Sequence, residues 1–348
     1  MIKTAVSILA YHGEEYMPEL LASMLRHDVL DEAAVIVVDN APSSAMKKIA
    51  DEWVPKFPHF FYLPQETNTG FTGGNLIGIA KAKELGAESV QFLNQDALVG
   101  QDWLSEARRV LGQDPALGAV QSRVMLWPEK ELGNSYGDSL HFTGFGYVNG
   151  YLQPWRGGDA PYEITGYPSG AAVLYRIAAL DDIGSFDPEA FIYHDDQDLG
   201  MKLHLRKWRG VLAPTSIMYH KYRPSITAFK FFWGERGRWL VILKFYKWPT
   251  LILLSPVLLL WQIMTLGYSI KEGYGAECFK VWAKLWRERD YIKRIRAFIQ
   301  SRRLISDREF TSHLTAKLPR VQIPRSIAWL LQPILYVYWW TLRAVMWW

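Results

Sequence analysis

The spacing of apolar positions divides this chain into three stretches. Over the first 126 residues, short apolar runs alternate with segments in which apolar residues recur every three or four positions. The runs are TAVSILAY (4–11), AAVIVVDN (33–40), HFFYLP (59–64), SVQFLN (89–94) and GAVQSRVML (118–126); EEYMPELLASMLRH, SSAMKKIADEWVPK, GNLIGIAKAKELGA and DWLSEARRVLG lie between them. The spacing predicts buried strands and amphipathic helices, hence an α/β layer with a mostly parallel sheet. Ligands then belong at the carboxyl ends of the strands.

From 139 to 225 the alternation lapses. LHFTGFGYVNGY predicts a hairpin, and YPSGAAVLYR a strand whose small residues, Ser169 and Gly170 among them, let a ligand or another backbone approach. FIYHDDQDLGMKLHLRKW (191–208) crowds Asp195, Asp196 and Asp198 ahead of a basic amphipathic run, and VLAPTSIMYHKYR reads as a strand ending on His220. In the third stretch, residues 248–270 run 23 positions without a charge, enough for a helix to cross a bilayer core of about 30 Å. Residues 326–348 are nearly as apolar and rich in Trp and Tyr, the side chains of membrane interfaces.

Charge sharpens this division. Residues 1–200 carry 13 Lys and Arg against 28 Asp and Glu, a balance of −15, whereas 201–348 carry 26 against 7, a balance of +19. A basic half implies phosphate-bearing partners, and its apolarity favours an anionic membrane face over nucleic acid. Both flanks of 248–270 are basic, with 11 Lys and Arg against 1 acid at 201–247 and 14 against 6 at 271–325, so a simple span puts one flank on the wrong side. Pro256 also permits a break, and the expectation is monotopic or re-entrant attachment by both segments. The single Cys278 excludes an intrachain disulfide, and the N-terminus reads as a buried strand rather than a signal peptide.

The candidate chemistry sits at the predicted strand ends: Asp39-Asn40 after the second, Asn94-Gln95-Asp96 after the fourth. ETNTGFTGGN (66–75) brings glycines onto a helix start but lacks the Gly-Lys-Ser/Thr of a triphosphate-gripping loop. Three carboxylates in four positions raise one another's pKa unless something compensates. Helix capping accounts for part of the cluster, Asp198 and Asp195 first, because the helix dipole favours acids in the first turn.

With VDNAPSS, ETNTGFTGGN, FLNQDALV, SGAAVLYRIAALDDIGSFDPEAFIYHDDQDLGMKL and MYHKYR in this order, residues 3–225 resemble the inverting GT-A glycosyltransferases of family 2, in their rhamnosyltransferase-like branch. The resemblance implies a Rossmann-like GT-A catalytic domain over 1–225, and the apolar runs and basic charge make 226–348 a helical membrane-association region. It implies transfer of a rhamnose-like sugar or hexose from a nucleoside-diphosphate sugar to a lipid-linked or membrane-proximal glycan, at the cytoplasmic membrane face. Asp39, Gly73, Gly74, Asn75 and Gln95 would face the nucleotide. Asp96 and His220 would hold a divalent cation, Mg²⁺ or Mn²⁺, although Asn94 replaces the first acid of the family's Asp-x-Asp and weakens protein-only binding.

Lys221, Arg223, Ser169 and Gly170 would meet the diphosphate or the acceptor. Asp196 would be the base, with Asp195 orienting it or touching the acceptor. Trp127, Trp155 and Tyr151 are candidate sugar-stacking surfaces. Two rivals remain: a nucleotidyltransferase acting on a sugar phosphate, disfavoured because no basic Gly-rich loop lies near the N-terminus, and a non-catalytic sugar-nucleotide-binding protein, disfavoured by the intact Asp96 and Asp196.

Overall fold

The structure, a computed structural model, describes residues 1–25, 30–223, 225–318 and 325–348. The end of the first expected helix (26–27) and part of the basic stretch (319–324) lie outside the described residues.

The chain forms two compact units. The first comprises residues 1–138, 148–203 and 208–223, and the second 139–147, 204–207 and 224–348. The boundary expected at 225 cuts the chain once, whereas the units interleave.

In the first unit β1 (Thr4–Ala10), α1 (Met17–Met24), β2 (Ala33–Asp39), α2 (Ser44–Trp53), β3 (Phe60–Pro64), α3 (Gly70–Glu84) and β4 (Ser89–Asn94) follow the expected alternation. All seven residues of β2 are buried, as an apolar run without alternation requires of a strand covered on both faces. Val35 and Val37 pack with Leu20, Leu21 and Trp103 on one face, and Ile36 and Val38 with Ile79 and Leu180 on the other. Each such side chain contributes roughly 1.5–3 kcal/mol relative to exposure.

β5 (Ala97–Val99), α4 (Trp103–Gly112), β6 (Leu117–Leu126) and β7 (Gly133–Ser135) come next; β8 (Ser139–His141) and β9 (Gly146–Tyr147) form the hairpin of the second unit. β10 (Tyr162–Glu163), β11 (Ala172–Arg176), α5 (Ile177–Ile183), α6 (Asp195–Leu205) and β12 (Arg209–His220) complete the first unit's succession, the last residues of α6 counting with the second. The main sheet runs β10-β12-β6-β11-β4-β1-β2-β3. Its half β4-β1-β2-β3 is parallel; β11 then lies antiparallel between β4 and β6, so the full sheet is mixed. A strand that follows a long excursion is free to enter from the opposite end, which apolar spacing alone does not reveal.

That reversal places the start of β11 at the parallel strands' carboxyl edge. Ala10 pairs with Asp39, Leu9 with Asn94, Ala172 with Leu93, and His220 with both Ala97 and Leu126.

The second unit is helical: α7 (Ala228–Phe245), α8 (Trp248–Lys271), α9 (Gly275–Arg287), α10 (Arg289–Arg302), α11 (Asp307–Phe310) and α12 (Arg325–Val345), with β13 (Leu314–Thr315) pairing with β8. Pro256 does not break α8, which continues through it for 24 residues. α8 is the one helix among the described residues long and apolar enough to cross a membrane, and a third of its most apolar window is buried in the protein. Several basic residues of this half are internal: Arg238 forks onto Glu235 (2.6 and 2.8 Å), Arg236 pairs with Glu288 (2.8 Å), and Lys244 is buried.

Candidate active site

The carboxyl edge of the sheet carries two clusters of polar side chains, both built within the first unit. At one, Asp96 Oδ1 stands 3.1 Å from His220 Nε2. His220 Nδ1 donates to Asn134 Oδ1 (2.9 Å), which fixes the ring, and the Asn94 amide lies 3.4 Å from Nε2. Burial pushes the Asp96 carboxyl up, but the hydrogen bond and charge of His220, with Lys221 beyond, outweigh it and hold the carboxyl below its ordinary value. Asn134 went unnoticed in the sequence because it reaches His220 across 86 residues and belongs to no motif.

One carboxylate and one oriented imidazole fit a divalent cation that takes the rest of its shell from a diphosphate and water. Among the described residues no group of three or more His, Cys, Asp or Glu converges on a single point. The donor set is therefore a partial one, as the replacement of the first acid by Asn94 implied.

The second cluster forms on the first turn of α6. The chain enters it through Phe191, Tyr193 and His194, all at positive φ (69°, 64° and 60°). Left-handed backbone costs such residues on the order of 1–2 kcal/mol each, so the surrounding contacts must hold it. One such contact is explicit: the Phe191 carbonyl accepts from Phe71 N (2.7 Å) and Thr72 N (3.2 Å), the second and third amides of α3. A Cβ on Gly70, itself at φ +73°, would stand 2.6 Å from that oxygen. The Gly-rich turn thus seats the acidic loop, and two amides at this helix start are already taken.

Beyond the loop, Asp196 accepts from Gln197 N (2.8 Å) and, at the long limit of 3.5 Å, from Gly170 N. A Cβ on Gly170 would lie 3.6 Å from that of Asp196, and Ser169 N donates to Gln121 Oε1 (2.7 Å). Phe71, Phe92, Tyr175 and Phe186 line a small cavity behind Asp195 and Asp196. Burial raises both carboxyls: Asp195 goes well above its ordinary value, pushed further by the charge of Asp196, and Asp196 rises to about 6. Asp198 is different, because it pairs with Lys202 at 2.5 Å, and Lys202 also donates to the Ser185 carbonyl (2.8 Å). The pair ties the first turn of α6 to its second and, through Lys202, to the backbone at Ser185.

The remaining expected residues are more committed to the fold. Asp39 is buried and accepts from Ala41 N (3.0 Å) and Tyr62 Oη (2.7 Å); Gln95 exchanges hydrogen bonds with the Tyr11 backbone (2.9 and 3.0 Å). Gly74 lies against β1, where a Cβ would stand 2.2 Å from Leu9 Cδ1, and a Cβ on Gly73 would crowd Thr69. Asn75 donates to the Phe71 carbonyl (3.0 Å). Lys221 pairs with Glu19, and Arg223 is exposed.

Of the aromatics, Trp127 meets Tyr219 edge-on and Trp155 is enclosed by Tyr136 and Tyr162. Tyr151 meets Tyr222 edge-on at 5.9 Å, and Tyr222 lies 5.5 Å from the His220 ring. Tyr222 thus links Tyr151, one of the three expected aromatics, to the His220 ring.

Comparison with known proteins agrees with this architecture. A family described as "Glycosyltransferase like family 2" matches residues 3–241. The chain is 37% identical over 217 residues to an N-acetylglucosaminyl-diphospho-decaprenol L-rhamnosyltransferase of Mycobacterium tuberculosis, covering 54% of this chain and 66% of that one. It is 25% identical over 241 residues to a pre-mycofactocin glycosyltransferase of the same organism, covering 68% and 48%. The chain thus spans about half to two thirds of the length of the curated relatives it matches. Among solved structures, the mannosyltransferase PcManGT of Pyrobaculum calidifontis, in complex with GDP-Man and Mn²⁺, aligns with a TM-score of 0.52 at 15% identity, over 86% of this chain and 85% of that one. The fold is that of the GT-A glycosyltransferases.

Proposed function

Since this chain belongs to glycosyltransferase family 2, we propose that it transfers a rhamnose-like sugar or a hexose, with inversion, from a nucleoside-diphosphate sugar to a hydroxyl of a lipid-linked glycan. The observation that carries the reading is the Asp195–Asp196 pair against Gly170, on the sheet edge that also bears Asp96 and His220. The rhamnosyltransferase named above acts, by its name, on a diphospho-decaprenol acceptor, which favours a lipid carrier and a nucleoside-diphosphate rhamnose as the first donor to try.

Asp96 and His220 would hold the divalent cation. When bound, that cation supplies Lewis-acid neutralisation of the charge gathering on the departing diphosphate. Asn134 keeps the imidazole turned toward Asp96. Arg223 and the backbone around Ser169 and Gly170 face diphosphate or acceptor in this reading, while Lys221 is drawn aside to Glu19.

Inversion is a single displacement: the acceptor oxygen bonds to the anomeric carbon as the bond to the diphosphate oxygen breaks, and the hydroxyl proton passes to a base. Two buried carboxyls with unequal shifts divide that labour. Asp195, raised by burial and by the charge of Asp196, orients its neighbour or touches the acceptor; Asp196, at about 6, is ionised near neutral pH and still basic enough to accept the proton. Asp39 braces the nucleotide end of the sheet through its bonds to Ala41 and Tyr62.

The exposed apolar face of α8 and the Trp-rich α12 support attachment to a membrane, which this reading takes as monotopic or re-entrant and at the cytoplasmic face. The decisive experiment incubates the chain with a panel of sugar nucleotides, Mg²⁺ or Mn²⁺ and a polyprenyl-diphosphate sugar, and assigns the product anomer by NMR. Retention of configuration, or release of pyrophosphate instead of a nucleoside diphosphate, overturns the proposal.

A further inference from the structure

Outside the sheet edge, the second unit holds a groove of about 540 Å³ at the junction of α7, α8 and α10, within the range of roughly 300–1,000 Å³ that small ligands occupy. Its walls carry Lys247, Trp248, Lys293, Arg296 and Gln300, and no carboxylate is among its lining residues.

Two of those side chains are held rigidly. Arg296 lies over the Trp248 ring at 4.4 Å and donates to the Leu243 carbonyl, and Gln300 donates to the carbonyls of Lys244 (2.8 Å) and Phe245 (3.1 Å). Acids nearby leave the positive charge in place. Asp290 reaches Lys293 only at 3.6 Å with both side chains largely exposed, a pair of little weight. Asp307 is fully buried and already committed to Arg303 (2.7 Å), the Lys247 amide (2.8 Å) and Thr250.

The groove is also continuous with an apolar surface. Trp248, 63% exposed, opens α8, and Ile252, Leu253, Leu259, Leu260 and Ile263 extend that exposed face along the helix. From groove to helix, the order is cations, then an indole, then aliphatic side chains. A bilayer presents the complementary order of phosphate, interfacial region and acyl chain.

We propose that this groove is a binding site for the phosphate headgroup of an anionic phospholipid. The proposal rests on the membrane-attachment reading above. It goes further by assigning the attraction to one built pocket rather than to the basic half at large, part of whose charge is internal. Lys247 and Lys293 supply the ammonium groups, Arg296 supplies planar donors, and Trp248 marks the depth at which the headgroup gives way to acyl chain.

The test is vesicle flotation of the whole chain, using phosphatidylcholine vesicles with and without phosphatidylglycerol. Replacing both groove lysines (Lys247→Gln with Lys293→Gln) is expected to weaken binding to the anionic vesicles by about 25-fold while sparing the zwitterionic ones. Lys271→Gln with Lys280→Gln removes the same charge elsewhere in the unit and should cost distinctly less. Lys247→Arg with Lys293→Arg should keep the binding, which controls for folding. Equal losses in the two glutamine pairs overturn the site and leave diffuse attraction. If the unaltered chain floats with neither vesicle, the membrane reading itself falls.

Discussion

Asp96 and Asp196 occupy the same sheet edge and both lose much of their water, yet their carboxyls shift in opposite directions. Burial pushes each up, and at Asp96 a hydrogen-bonded imidazole and the Lys221 charge reverse the effect. At Asp196 the opposing groups are the backbone amides of Gln197 and Gly170, and burial beside a wall of aromatic rings outweighs them. Neighbours, more than depth, decide what a buried carboxylate does. In the proposed function, the first arrangement keeps a charge ready for a cation and the second keeps a base near neutrality.

The contrast can be broken most severely at the base. Asp196→Asn should lower transfer by about 10³-fold or more with nucleotide affinity nearly unchanged, as steady-state kinetics and calorimetry would read out. Wild-type turnover in that variant would move the base elsewhere. At the other cluster, Asp96→Ala should reduce turnover by roughly 10²-fold and abolish the cation dependence of nucleoside-diphosphate binding. Asn134→Ala, which frees the imidazole without touching the carboxylate, should weaken that cation dependence by about 10-fold or more in a titration of Mn²⁺. No change there would mean that Asn134 only packs.

The pH response sharpens the comparison further. Asp196 is raised from 3.8 to about 6, so the folded chain holds this proton more tightly than the unfolded one, and stability falls as pH climbs from about 4 to about 6. Asp196→Asn should therefore melt higher than the wild type above pH 6, with the gain vanishing below about pH 4. Transfer by the wild type should decline as pH drops through about 6. The smallest effect belongs to the scaffold that both clusters share: Gly74→Ala should cost about 1–3 kcal/mol in chemical denaturation, because its Cβ meets Leu9.

Much of the site was legible because a buried strand must end where polar residues begin. Asp39, Asn94, Asp96 and His220 each close or directly follow an apolar run, and register then brings those ends to one edge. The acidic cluster was legible as an anomaly, since like charges seldom crowd without cause. Less legible were the side chains already spent. Gln95 and Lys221 read as ligands in their motifs; within the fold Gln95 also secures the Tyr11 backbone and Lys221 also pairs with Glu19. Arg236, Arg238 and Lys244 counted toward a membrane-facing charge and turned out to be buried.

The sequence by itself determined the order of elements, the positions of the strand ends, the split between an acidic and a basic half, and the family, because these follow from local periodicity and from motifs read along the chain. Only the tertiary structure decided that β11 runs antiparallel, that the Phe191 carbonyl takes the second and third amides of α3, and that Asn134 orients His220. These three depend on groups separated by tens of residues, whose meeting is fixed by packing and hydrogen-bond satisfaction, neither of which leaves a periodic trace in the chain.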